Sequence, residues 1–190
     1  SQMKKITIAL IMVISLIAPI QTMAESVTQN GTIIEPLEQN IEQIIDEITS
    51  EPRPINSDAI QNVKEYISKY FGNLGYDNIE YQKFEYNDEN NENAIRHSSQ
   101  ADVFLASTAE DAIVDGIGEN IIVTKNSSID TTKNLIISAH YDSAEDSVGA
   151  NDNGSGVAAV LELARILKDT EIPYNIKFIL FSGEEKYMLG

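Results

Sequence analysis

The segment from Asn134 to Gly190 constrains the fold more than any other part of the chain. It opens with NLIISAHYD, in which Leu135, Ile136 and Ile137 are consecutive apolar residues. Such a run reads as a strand buried on both faces. It continues with SGVAAVLELARILKD, where Val157, Val160, Leu161, Ala164 and Leu167 recur at helical spacing. It closes with NIKFILFSGEE, a second apolar strand that ends in two glutamates. Strand, helix and strand over this length form a βαβ crossover, with the two strands parallel in one sheet. The expected fold class is α/β.

The preceding residues supply further elements. Leu37, Ile41, Ile44, Ile45 and Ile48 form a helical stripe, and Pro52 and Pro54 in SEPRPINS end it. Ser57 can cap a second helix with the apolar face Ile60, Val63, Ile67, Tyr70, Phe71 and Leu74, and Gly75 marks its end. IEYQKFEY reads as a strand with Ile79, Tyr81 and Phe84 packing inward, and NDENNEN as a polar loop. ADVFLAS and NIIVTK read as two more short strands. No internal repeat is visible.

The first residues read as a targeting segment rather than as fold. Lys4 and Lys5 precede the apolar run Ile6–Ile20, and Thr22 and Ala24 are the small residues of a cut after Ala24. This is the layout of a secretory signal peptide spanning 1–24, and it implies a secreted, extracellular protein. The alternative is an uncleaved anchor, but the run is shorter than the ~20 residues that cross a bilayer, so no stable membrane association is expected after cleavage. Residues 25–36, with Gly31 and Pro36, read as a linker, which leaves 37–190 as the folded part. With 42% apolar residues in a chain of 190, one domain with a sizeable core is expected. The chain has no cysteine, which excludes disulfides and thiolate metal sites. A formal net charge of −17 argues against a nucleic-acid partner, because phosphate contacts need Lys and Arg. The acidity otherwise suits a solvated surface, or a preference for cationic substrates or metals.

The chemistry gathers where the topology puts it. Ligands of open α/β sheets bind outside the carboxyl ends of the parallel strands. His140 and Asp142 lie at the end of the first strand, Glu184 and Glu185 at the end of the second, and Asp152 in the loop rising from the first. One His and several carboxylates without Cys make a ligand set for a catalytic divalent ion such as zinc. Carboxylates packed together without cations would repel one another, and metal ions remove that cost. Asp142 stands two residues from His140 on the same strand face and can fix its imidazole. Gly154 and Gly156 in NDNGSG would permit unusual backbone around Asp152. Past the strand end, one of the paired glutamates can bind metal while the other faces a water as general base. A serine hydrolase would need a nucleophilic Ser and an acid around His140, and the carboxylate pattern fits metal better. His97 lies in a polar segment and is given no role.

NLIISAHYDS, VGANDNGSGVAAVLELARIL and IKFILFSGEEKYMLG closely resemble the zinc-dependent exopeptidases of the aminopeptidase Y and bacterial leucyl aminopeptidase type. The resemblance is strong from Gly118 to Gly190 and compatible from Ile48 to Phe84. It implies a three-layer α/β sandwich around a mixed, mostly parallel sheet, cut off after the GEE strand. It further implies two zinc ions, a peptide substrate, and a cis peptide after Asp152. By motif, His140 would bind the first zinc, Asp152 would bridge both, and Glu185 would bind the second. Glu184 would activate the water and Asp142 would orient His140. The family has two further metal ligands downstream of the residue matching Gly190. The chain is therefore expected to be the N-terminal part of a secreted aminopeptidase, binding zinc weakly and inactive alone. A carboxypeptidase or glutaminyl cyclase of the same fold, or a non-catalytic secreted binding protein, remain alternatives. The oligomeric state is not legible.

Overall fold

The computed structural model describes residues 28–29, 32–33, 36–86, 116–186 and 188–190. Residues 1–24, expected to be a signal peptide, His97 and the segment ADVFLAS, expected to be a strand, lie outside them. In chain order the elements are β1 (Thr28–Gln29), β2 (Thr32–Ile33), α1 (Glu38–Ile48), α2 (Asp58–Asn73), β3 (Ile79–Tyr86), β4 (Gly116–Lys125), β5 (Asn134–His140), α3 (Ser155–Leu167) and β6 (Asn175–Phe181). The segment expected to be a linker thus contains the short antiparallel pair β1–β2.

The local signals act as their chemistry predicts. Ser57 Oγ accepts from Ile60 N at 3.1 Å and caps α2. Gly75, at φ +84°, takes the left-handed turn that ends the helix. Helix α1 has no side-chain cap of its own. Instead, the buried Glu162 of α3 accepts from Leu37 N at 2.8 Å and from Asn40, while Arg165 donates to it at 2.7 and 3.0 Å. Burial pushes the Glu162 carboxyl up, but these donors outweigh it and hold it below the usual range.

The main sheet has four strands in the order β3-β4-β6-β5. The βαβ unit is as expected: β5 and β6 are parallel neighbours, with His140 level with Phe181. The sheet is mixed, but the expectation of mostly parallel pairing fails among the described residues. β3 pairs with β4, and β4 with β6, in antiparallel fashion. Only the strands joined by α3 need the parallel direction.

Among the described residues the helices cover one face of the sheet. α3 packs on β5 and β6 and touches α1 and α2. Ile44, Ile48, Ile60, Ile67, Phe71, Leu161, Ile121, Ile176, Phe178 and Leu180 are essentially inaccessible, and burying such side chains stabilises by about 1.5–3 kcal/mol each. Phe71, Tyr76 and Phe178 form a three-ring cluster with centroids 5.5–5.7 Å apart. The other face is open, which corrects the reading of doubly buried strands. Ile136 on β5 is exposed there, while Leu135, level with buried Ile176 on the covered face, is exposed at the sheet edge, and β6 alternates between buried Ile176, Phe178, Leu180 and half-buried Ile179 and Phe181. Tyr81 was expected to pack inward, yet it is exposed. β3 is an edge strand, and Tyr81 reaches only the rim of α2, where its hydroxyl donates to Ser68 Oγ at 2.9 Å.

Candidate metal centre

The parallel pairing of β5 and β6 brings two loops to one rim. The first leaves β5 at His140 and returns at Asp152, just ahead of α3. The second leaves β6 at Phe181 and carries Glu184 and Glu185. All five residues singled out in the sequence meet there. His140 Nε2 lies 3.1 Å from Asp152 Oδ1 and 3.7 Å from Glu184 Oε2. One ligand atom each from His140, Glu184 and Glu185 lies within 4.8 Å of the others. His140 and Asp142 are buried, Glu184 is half-buried, and Asp152 and Glu185 are exposed.

Asp142 reaches further than the sequence indicates. Its Oδ1 lies 3.5 Å from His140 Nδ1, on the side away from the other carboxylates. The same oxygen accepts from Glu184 N at 3.2 Å, and its Oδ2 accepts from Glu185 N at 3.1 Å. One buried carboxylate thereby holds both the imidazole and the backbone of the paired glutamates. Asn120 Oδ1 fixes the start of that second loop by accepting from Ser182 N at 3.0 Å.

The backbone around Asp152 follows a different rule from the one expected. Gly154 has ordinary helical angles. What its position and Gly156 require is space: a Cβ would meet Thr49 Cγ2 at 2.7 Å from Gly154, and Asn153 Oδ1 at 2.1 Å from Gly156. The conformational demand falls on Gly149, at φ +57°, where a Cβ would also meet Asp152 O at 2.5 Å. The peptide between Asp152 and Asn153 is cis.

The electrostatics are those of a place for a cation. A neutral imidazole has one donor, yet here carboxylates face both ring nitrogens. The pKa of His140 is pushed up to about 9, first by Asp142, then against the cost of burial by Glu184 and Asp152. Nδ1 is buried without a hydrogen-bond partner, so its contact with Asp142 is chiefly one of charge. Partial burial, then Asp152, Glu184 and Asp142, raise the Glu185 carboxyl. A divalent ion at Nε2 would supply the positive charge that the ring otherwise takes from a proton, and would relieve the crowded carboxylates. The donor set, imidazole and carboxylate without sulfur, suits zinc.

One buried residue at this site has no counterpart in the sequence reading. Arg53 is fully buried and donates from Nε to Tyr141 O at 2.7 Å, from one terminal nitrogen to Gly149 O at 3.1 Å and from the other to Val148 O. Its partners are backbone carbonyls, which no residue pattern announces. The available signal was an arginine held between Pro52 and Pro54 in a short connection between amphipathic helices.

Fold and site together define an α/β domain with an imidazole–carboxylate cluster at the carboxyl rim of its parallel strands. Residues 120–190 match the model of peptidase family M28. The resemblance read from the sequence therefore holds. The aminopeptidase YwaD of Bacillus subtilis is 42% identical over 80 residues, which are 42% of this chain and 18% of that protein. In fold, the chain is similar to BSAP, a zinc aminopeptidase from Bacillus subtilis, with a TM-score of 0.62 and 18% identity over 77% of this chain and 61% of that one. The glutaminyl cyclase of Porphyromonas gingivalis has the same fold, with a TM-score of 0.59 and 19% identity over 80% and 47%. The chain thus spans less than a fifth of that curated relative and about half to three-fifths of these solved chains.

Proposed function

We propose that the chain is part of a secreted di-zinc aminopeptidase that removes N-terminal residues from peptides. The observation that carries this reading is the convergence of His140, Asp152, Glu184 and Glu185 at one rim, within a segment matching a peptidase family. His140 and Asp152 would hold one zinc, and Asp152 and Glu185 the other. Zinc, when bound, polarises the scissile carbonyl and makes water nucleophilic near neutral pH. Glu184 is half-buried beside His140 Nε2 and is placed as general base. Its carboxylate takes the proton of the attacking water and passes it to the leaving amine. Asp142 keeps Nδ1 of His140 turned inward, so that Nε2 faces the rim. These residues provide two ligands per ion with one shared, whereas catalytic zinc usually keeps three. Secretion rests on the signal-like residues 1–24, with 25–36 leading into the exopeptidase part at 37–190.

The test is a fusion of this chain to the C-terminal segment of the Bacillus subtilis zinc aminopeptidase. With zinc, the fusion should release 4-nitroaniline from amino-acid 4-nitroanilides but not from N-acylated ones. Equal turnover by a Glu184→Ala fusion would overturn the role of Glu184. The cyclase-like fold gives a second reading. A fusion that cyclises N-terminal Gln with loss of ammonia and leaves the anilides intact would favour it.

A further inference from the structure

We propose that Arg53 is the positioning residue of the metal loop, holding the segment 141–149 from beneath so that His140 and Asp152 face each other before any cation arrives. This rests on the reading of the rim as a metal site.

Burial of a guanidinium is costly unless its donors are satisfied. Among the described residues no carboxylate lies within ion-pair distance of Arg53. Instead, three of its donors go to the carbonyls of Tyr141, Val148 and Gly149. Its backbone is tied to the same loop in both directions: Arg53 N donates to Ser143 Oγ at 2.9 Å, and Ser143 N donates to Arg53 O at 3.3 Å. The anchored residues are the one that follows His140, the one that follows Asp142, and two that precede Asp152 by three and four positions. Arg53 fixes both ends of the loop, and the middle is closed by the loop's own bonds, Ser143 Oγ to Ser147 O at 2.9 Å and Gly149 N to Ser147 Oγ at 3.1 Å. Pro52 and Pro54 restrict the backbone on either side of Arg53. Gly149 fits closely enough that a Cβ there would meet both Asp152 O and Ser143 Cβ.

The planar fork is what the site uses, because its donors diverge toward separate carbonyls at fixed angles. Lysine offers the same charge at a single point. Burial lowers the pKa of the guanidinium from its ordinary value, and the charges of Asp142 and Glu185 oppose this without outweighing it. A residue that only filled the core would have no reason to place its donors on the carbonyls of this one loop.

The experiment is calorimetric zinc titration of the full chain and of Arg53→Lys and Ser143→Ala, with metal-free melting curves as the control for folding. The visible spectrum of the cobalt-loaded chains is the second readout. Arg53→Lys should weaken zinc binding by roughly 10–100-fold and Ser143→Ala by about 10-fold, in the range typical of residues that orient ligands. The cobalt spectrum at saturation should change, because the ligands no longer meet in one geometry. A folded Arg53→Lys with the zinc affinity and cobalt spectrum of the parent would overturn the proposal. If Arg53→Lys does not fold, an unchanged Ser143→Ala overturns it and a weakened one supports it. A parent chain that binds neither zinc nor cobalt would instead overturn the metal reading on which the proposal stands.

Discussion

The loop that follows β5 and the loop that follows β6 reach the same rim by different means. The first is long, and the two residues it brings to the rim, His140 and Asp152, stand 12 positions apart. It is held from below by a residue of another segment, Arg53, through its carbonyls. The second carries its acidic pair just past the end of β6 and is largely self-supporting. Met188 N donates to Glu184 O at 2.8 Å and Leu189 N to Gly183 O at 2.9 Å, while Asn120 accepts from Ser182 N and Asp142 from the Glu184 and Glu185 amides. A long excursion between two ligands loses too much entropy to define their separation unaided, so it borrows a rigid support. A short turn needs only partners for its ends. In both loops side chains that reach the solvent, Asp152 and Glu185, stand on buried polar groups.

The comparison is open to attack at three points. The largest effect belongs to Glu184, the residue of the short loop assigned to proton transfer. Glu184→Gln in the fusion enzyme should lower kcat by roughly 10²–10⁴-fold, and steady-state kinetics should show KM nearly unchanged. Next is Asp142, where both loops meet. Asp142→Ala leaves the Glu184 and Glu185 amides without their acceptor and the His140 ring without the charge beside Nδ1, and zinc affinity should fall by roughly 10–100-fold in calorimetric titration. Asp142→Asn, which keeps one acceptor oxygen, should lie between that variant and the parent. The smallest effect lies away from both loops. Ile136→Thr, on the open face of β5, should shift urea-unfolding stability by no more than about 0.5 kcal/mol, whereas Phe178→Ala on the covered face should cost about 3–5 kcal/mol.

The residues that meet at the rim were legible because their positions follow from strand ends. An apolar run that stops at a His or a Glu pair says where the side chains emerge, and the βαβ rule says that they emerge together. The helix faces were legible for the same reason: Ile60, Val63, Ile67 and Phe71 keep their period and are buried. What the sequence hid was anything carried by the backbone. Arg53 binds carbonyls, which every residue possesses, so its partners have no signature. The glycine demand at Gly149 depends on the path of the loop, and the path is set by Arg53. Burial on the second face of a strand depends on what lies above it. The apolar run Leu135–Ile137 therefore could not distinguish a covered strand from the half-open one observed.

One carboxylate, that of Asp142, receives amides from a loop 42 and 43 positions further along the chain while facing the imidazole beside it. The two halves of the rim consequently share a single degree of freedom. A displacement of the glutamate turn by an entering peptide would be felt at the ring of His140, and a tilt of the ring would return to the turn. Because the turn contributes backbone amides, this coupling survives side-chain changes in the turn and rests on the carboxylate of Asp142.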